Sequence, residues 1–325
     1  MTDMRIAIAG SGGLAEIIAK NIHETVHTVL ILSRYVCLPK ATLVENSDAV
    51  QAQPRLASEG LQVAVVDYEN DADLRYTLRG IDVVISTVSG VPQINLIDAA
   101  AHSGVQRFIP AEFEGSPTHR PNNDPLDRGK RAAIDRLRFW SHHDRHPMRF
   151  TIFTCGVFYE RFGLGIGSST GIESQRPYLM DVMGGTAEVV EFHASGEPIY
   201  ISMTSVYDLA RFITAALEQV ELGQWRLEFR VRGDRRTVTE IIHWGAVCRG
   251  LESLSVSIIE PGDLRAHLEH ATYYNDVQKV ARVQELIATE QNRYDFTQPT
   301  LNQLVNITPT DFWTWLSSQY PPPPQ

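Results

Sequence analysis

The chain has 325 residues, 43% of them hydrophobic and 21% charged, with a formal net charge of −10. That is enough apolar material for one large core, or a core domain with a smaller lobe, and the wrong charge for a protein that grips nucleic acid through its phosphates. No window approaches the roughly 20 apolar residues of a membrane span, no basic and apolar leader opens the chain, and Cys37, Cys155 and Cys248 are odd in number and far apart. A cytoplasmic protein without membrane, nucleic-acid or metal partners is expected.

Residues 5–9, Arg-Ile-Ala-Ile-Ala, are a predicted strand that runs into the turn Gly10-Ser11-Gly12-Gly13-Leu14. Glycines permit such a turn and let the backbone approach a pyrophosphate, and the helix predicted over 14–25 offers its free amides and positive dipole end. Residues 28–32 form a second buried strand, completing a βαβ unit. That strand ends in Ser33-Arg34, with Lys40 six residues further on. An acidic residue there would accept from the ribose hydroxyl of NAD, whereas a hydroxyl and two cations suit the 2′-phosphate of NADPH.

Strands at 61–66, 81–88, 106–110 and 149–154 alternate with helices at 71–79, 93–103 and 128–142. This rhythm predicts an α/β protein with a Rossmann-type, doubly wound parallel sheet. Asp67 ends the third strand and is expected near the adenine; Ser86, Thr87, Ser89 and Gly90 leave the fourth and are expected near the ribose. The stretch 114–127, rich in Pro, Asn and Asp, reads as a loop long enough to be a lid. His142, His143 and His146 lie where a helix ends and suit its negative end better than a metal ion.

After residue 155 the rhythm breaks into short strands at 189–193, 199–203, 227–231 and 256–259 and helices at 206–218, 237–249, 261–269 and 273–289. The expected division is a dinucleotide-binding domain over 1–154, a smaller interleaved C-terminal substrate lobe over 155–320, and a disordered proline tail at 321–325.

The glycine turn with Ser33-Arg34, the exit Ser86-Thr87-Val88-Ser89-Gly90, the run 105–113 (Val-Gln-Arg-Phe-Ile-Pro-Ala-Glu-Phe) and Lys130 resemble the NmrA-like and isoflavone reductase-like branch of the atypical short-chain dehydrogenase/reductases. Residues 150–160 resemble its fungal members. The resemblance implies NADPH as cofactor and a catalytic lysine at Lys130, which also borders the cofactor. Cys155, Gly156 and Phe158 are expected beside the nicotinamide, and Phe113, Tyr159 and Phe162 around the substrate. The chain departs from the family at Glu16, where the third glycine of the turn would stand, and at Ala111, where a serine would. None of the four lysines follows a tyrosine by four residues, so the usual Tyr-x-x-x-Lys pair is absent and Lys130 is the acid/base candidate.

The expected activity is NADPH-dependent reduction of a small aromatic or conjugated carbonyl, enone or imine, in secondary metabolism, with Lys130 as proton donor or relay. Two alternatives stand beside it. One is a non-catalytic NAD(P)-binding sensor that acts on a protein partner, and the other an isomerase, cyclase or dehydratase on the same fold.

Overall fold

Ile6, Ala7, Ile8 and Ala9 are all 0% exposed, the mark of a strand covered on both faces. They belong to β1 (Arg5–Ala9), at the centre of a six-stranded parallel sheet with β2 (Thr28–Arg34), β3 (Gln62–Val66), β4 (Val83–Ser86), β5 (Arg107–Ile109) and β6 (Arg149–Phe150). This computed structural model describes residues 3–34, 56, 59–163 and 177–320. Lys40, Cys37, residues 164–169 and the tail 321–325 lie outside the described residues.

The strand order is β3-β2-β1-β4-β5-β6, so the winding reverses between β1 and β4 and leaves a crevice at their carboxyl ends. The connections are α1 (Gly13–His23), α2 (Asp71–Thr77), α3 (Val91–His102) and α4 (Lys130–Ser141). Asn70 caps α2 by accepting from Asp73 N, and Gly90, with φ of 72°, starts α3.

The chain forms two compact units, each assembled from separate stretches. The first comprises Met1–Glu112, Arg128–Phe153 and Ala210–Phe229; the second comprises Phe113–Asp127, Thr154–Leu209 and Arg230–Gln325. A single cut at 154 therefore misses two exchanges. Residues 210–229 join the first unit because the Phe153 ring packs edge-on against Trp225 and Phe229, with centroids 5.9 and 5.7 Å apart.

Residues 113–127 join the second because ions hold them there. Arg293 reaches Glu114 at 2.8 Å and also Asp124, while Arg120 binds Glu114 at 2.8 Å and Asp127 at 3.3 Å. The side chains of Arg120, Asp124 and Arg293 are 2–3% exposed. The stretch expected as a lid is thus pinned from inside its own unit and includes a short 3₁₀ turn, Pro117–His119.

The second unit contains two small sheets. One orders the strands Asp234–Thr237, Tyr200–Thr204 and Val157–Phe158; the other orders the strands Ser255–Ile258, Thr186–Val189 and Met180–Asp181. The helices predicted over 261–269 and 273–289 are Leu264–Tyr273 and Val277–Glu290, separated where Asn275 turns left-handed and the Asp276 carboxylate accepts from Lys279 N. Among the described residues, no helix is long and apolar enough to cross a membrane, and no group of His, Cys, Asp and Glu is arranged to hold a metal.

Candidate functional site

In the first unit, the ends of β1 and β4 meet at a turn with no room for a side chain. Gly10 has φ of +112°, and a Cβ added there would lie 2.3 Å from Thr87 Oγ1. Thr87 is fixed in place because its hydroxyl and its backbone N–H both donate to Ala9 O, at 2.8 and 2.9 Å. Conformation and close approach together require glycine here. Gly10 N donates to Leu32 O at 2.9 Å, and the buried Tyr68 phenol donates to the same carbonyl at 3.1 Å. Burial raises the pKa of that phenol, which keeps it a donor beneath the turn.

Gly12 is the extended N-cap of α1; it supplies no capping side chain, and a Cβ added there would meet nothing within 4 Å. The first bond within α1 runs from Glu16 N to Gly12 O. The amides of Gly13, Leu14 and Ala15 therefore have no acceptor inside the helix and, with the positive dipole end, suit an anion. Beside them the Ser11 hydroxyl lies 3.2 Å from Ser33 Oγ, at the end of the strand where Arg34 is exposed.

Glu16 does not face this anion surface. Its carboxylate lies 2.8 Å from Lys20 Nζ, one turn along α1, and Lys20 continues to Glu59 at 3.0 Å. Ala15, 1% exposed, is the small residue buried in the first turn.

At the exit of β4, Ser86 is fully buried and its hydroxyl donates to Val88 O at 2.9 Å. Ser86 shapes the strand exit and is not at the surface; Thr87 and Gly90 are half-buried and Ser89 is exposed. Asp67 is exposed, its carboxylate accepting from Glu69 N at 2.9 Å in a local turn.

Lys130 reaches this region through two consecutive left-handed residues, Arg128 at φ 51° and Gly129 at φ 80°. A Cβ added to Gly129 would lie 3.1 Å from Gly90 Cα, so backbone touches backbone. That contact sets Lys130, the half-buried first residue of α4, beside the loop that leaves β4. Gln93, which sequence reading passed over, supports the same end of the sheet. It is wholly buried on α3, and its Oε1 accepts from Ala111 N at 2.7 Å.

The remaining candidates belong to the second unit. Cys155 and Gly156 donate their backbone N–H groups to Glu114 O, and Gly156, at φ +70°, has no space for a Cβ against Ser202 O, 1.9 Å away. Phe113 and Phe158 are 9% and 7% exposed. Tyr159 and Phe162, expected to line a substrate pocket, are core residues at 0% and 1% exposure. The Tyr159 hydroxyl donates to Thr310 O at 3.0 Å, and both rings pack on Phe312. Alternating aromatics signal burial and pocket walls equally well, which is why the sequence could not separate the two.

Glu160 is a buried carboxyl of the same unit. Its two oxygens accept from Ser205 Oγ at 2.8 Å and Val206 N at 3.0 Å, at the start of α5 (Val206–Gln219). Burial pushes its pKa up to about 7 against those two hydrogen bonds.

Residues 2–126 match the NmrA-like family. The chain is 34% identical over 117 residues to the oxidoreductase swnR of Metarhizium robertsii, a match that covers 34% of this chain and 33% of that one. It is 33% identical over 118 residues to a phenylcoumaran benzylic ether reductase of Ginkgo biloba, covering 35% of this chain and 37% of the other. These matches span about a third of each relative's length. Likeness of fold extends much further. An NADPH-dependent quinone oxidoreductase of Escherichia coli superposes with a TM-score of 0.68 over 96% of this chain and 98% of that one, at 15% identity.

Proposed function

We propose that this NmrA-like protein is an NADPH-dependent reductase of a small aromatic or conjugated substrate. One observation carries the reading: the glycine turn, the exposed Arg34 and Lys130 all gather at the point where the strand order reverses. The residues present fit the cofactor. Gly12 places no side chain over the amides of α1, which would receive the pyrophosphate, and Ser33 and Arg34 stand where the 2′-phosphate requires a hydroxyl and a cation. Thr87, Ser89 and Gly90 would border the nicotinamide ribose.

The bound cofactor supplies hydride. Lys130 holds a proton at Nζ and delivers it to the substrate oxygen or carbon that becomes anionic, directly or through water. The backbone contact between Gly129 and Gly90 positions that ammonium. The substrate class rests on the kinds of protein that resemble this chain, a benzylic ether reductase and a quinone oxidoreductase among them. A place in secondary metabolism goes with such substrates.

The test is NADPH oxidation across a panel of quinones, hydroxyanthraquinones, enones and imines. Turnover with at least one class, faster with NADPH than with NADH, supports the reading. Binding of NADPH without turnover on any of them would favour a sensor that signals to a protein partner.

A further inference from the structure

The amino edge of the central sheet, opposite the end where the glycine turn lies, holds a second concentration of chemistry in the first unit. β5 and β6 are parallel neighbours, and their register sets Arg107 directly against Arg149. Like charges side by side on adjacent strands are unfavourable unless something offsets them. A cavity of about 530 Å³ opens over the pair, and its polar wall is Gln106, Arg107, Ser141, Arg145, His146 and Arg149. Among the described residues, no carboxylate lines it. The nearby Asp82 is engaged by Gln106 Nε2 and Arg5 N, both at 2.9 Å.

Arg107 is the centre of the argument, because it is 3% exposed. Its guanidinium donates to Thr151 Oγ1 at 3.2 Å and to Leu222 O, and it lies over the Trp225 ring at 5.8 Å, but all of these partners are neutral. Its buried Nε has no partner among the described residues. Burial, and then the charge of Arg149, pull the Arg107 pKa down to about 10. A buried cation normally has a counter-charge, since desolvation alone costs several kcal/mol.

The C-terminal ends of α3 and α4 face the same edge, with Ala101 and Ser141 in the cavity wall. Each helix end contributes roughly half a negative charge, so together they offset roughly one of the three guanidiniums. About two positive charges remain, which matches a dianion. The volume exceeds that of bare phosphate and leaves room for an organic remainder.

We infer that this cavity is a binding site for a phosphomonoester-class dianion, separate from the dinucleotide crevice, held by Arg107, Arg145 and Arg149. Inorganic phosphate is the probe. Melting temperature is followed against phosphate in potassium chloride at constant ionic strength, for the wild type and for Arg149→Gln and Arg145→Gln, both exposed positions where substitution leaves the core intact. Phosphate is expected to raise the wild-type melting temperature, and each variant to need at least about tenfold more phosphate for the same rise, the scale of one charge-assisted hydrogen bond. Arg34→Ala should respond as the wild type does. Equal protection of wild type and Arg149→Gln, or no protection beyond chloride, would overturn the inference. So would loss of protection in Arg34→Ala with retention in Arg149→Gln, which would assign the phosphate to the dinucleotide crevice.

Discussion

At the scale of single residues, the clearest readings are those in which one position meets one demand. Gly10 was legible because a glycine after a buried strand announces a turn; that Thr87 enforces it was not, since the two are 77 positions apart and no local pattern links them. Gln93 and the left-handed pair Arg128-Gly129 stayed hidden for the same reason. In the proposed function Arg34 binds the 2′-phosphate, so Arg34→Ala should weaken NADPH binding by about 1.5–3 kcal/mol, or roughly 10- to 150-fold in Kd, and leave NADH nearly unchanged. Fluorescence titration with both nucleotides checks this, and equal losses would remove the phosphate role. Glu16 makes a contrasting case. Because its carboxylate pairs with Lys20 instead of facing the turn, Glu16→Gln is expected to leave dinucleotide affinity within about twofold and to lower stability by only about 0.3–0.5 kcal/mol, as for other helix pairs four residues apart. A large loss of affinity on titration would put Glu16 inside the site.

At the scale of elements, the central strands were easy to read because strands buried on both faces are continuous apolar runs. The stretch 113–127 was harder. Its polar composition is that of a loop, and only the distant Arg293 turns its acidic residues into an internal clamp. Glu160 shows how one buried group can set the behaviour of an element, here the start of α5. Its carboxyl has an ordinary value near 4.5 when unfolded and is pushed up to about 7 when folded, so folding favours the protonated form. The stabilisation from this group is complete below pH about 4.5, falls as the pH rises, and is lost above about 7. The difference amounts to about 3 kcal/mol. Chemical denaturation at pH 5 and pH 8 should therefore show a drop across this interval that is largely absent in Glu160→Gln. An identical drop in the variant would mean that other groups cause it.

At the scale of the whole molecule, the sequence revealed the fold class and the amino-terminal crevice but not the two exchanges between units, because α5 and the strand around Phe153 run on through the boundary without a break in periodicity. Tyr159 and Phe162 were drawn into the proposed pocket by their place after the sixth strand, and the packing of the second unit claims them as core. In the proposed function, the crevice at the reversal of strand order performs a reduction in which Lys130 handles the proton. The most direct measurement is kcat for NADPH oxidation with the best panel substrate in wild type, Lys130→Ala and Lys130→Arg, with NADPH affinity and melting temperature measured alongside. Both variants should bind NADPH and fold as the wild type does while kcat falls by roughly 10²–10⁴, and arginine should give no rescue, because it keeps its proton too tightly to donate it. Turnover near the wild-type rate in Lys130→Ala would contradict the account.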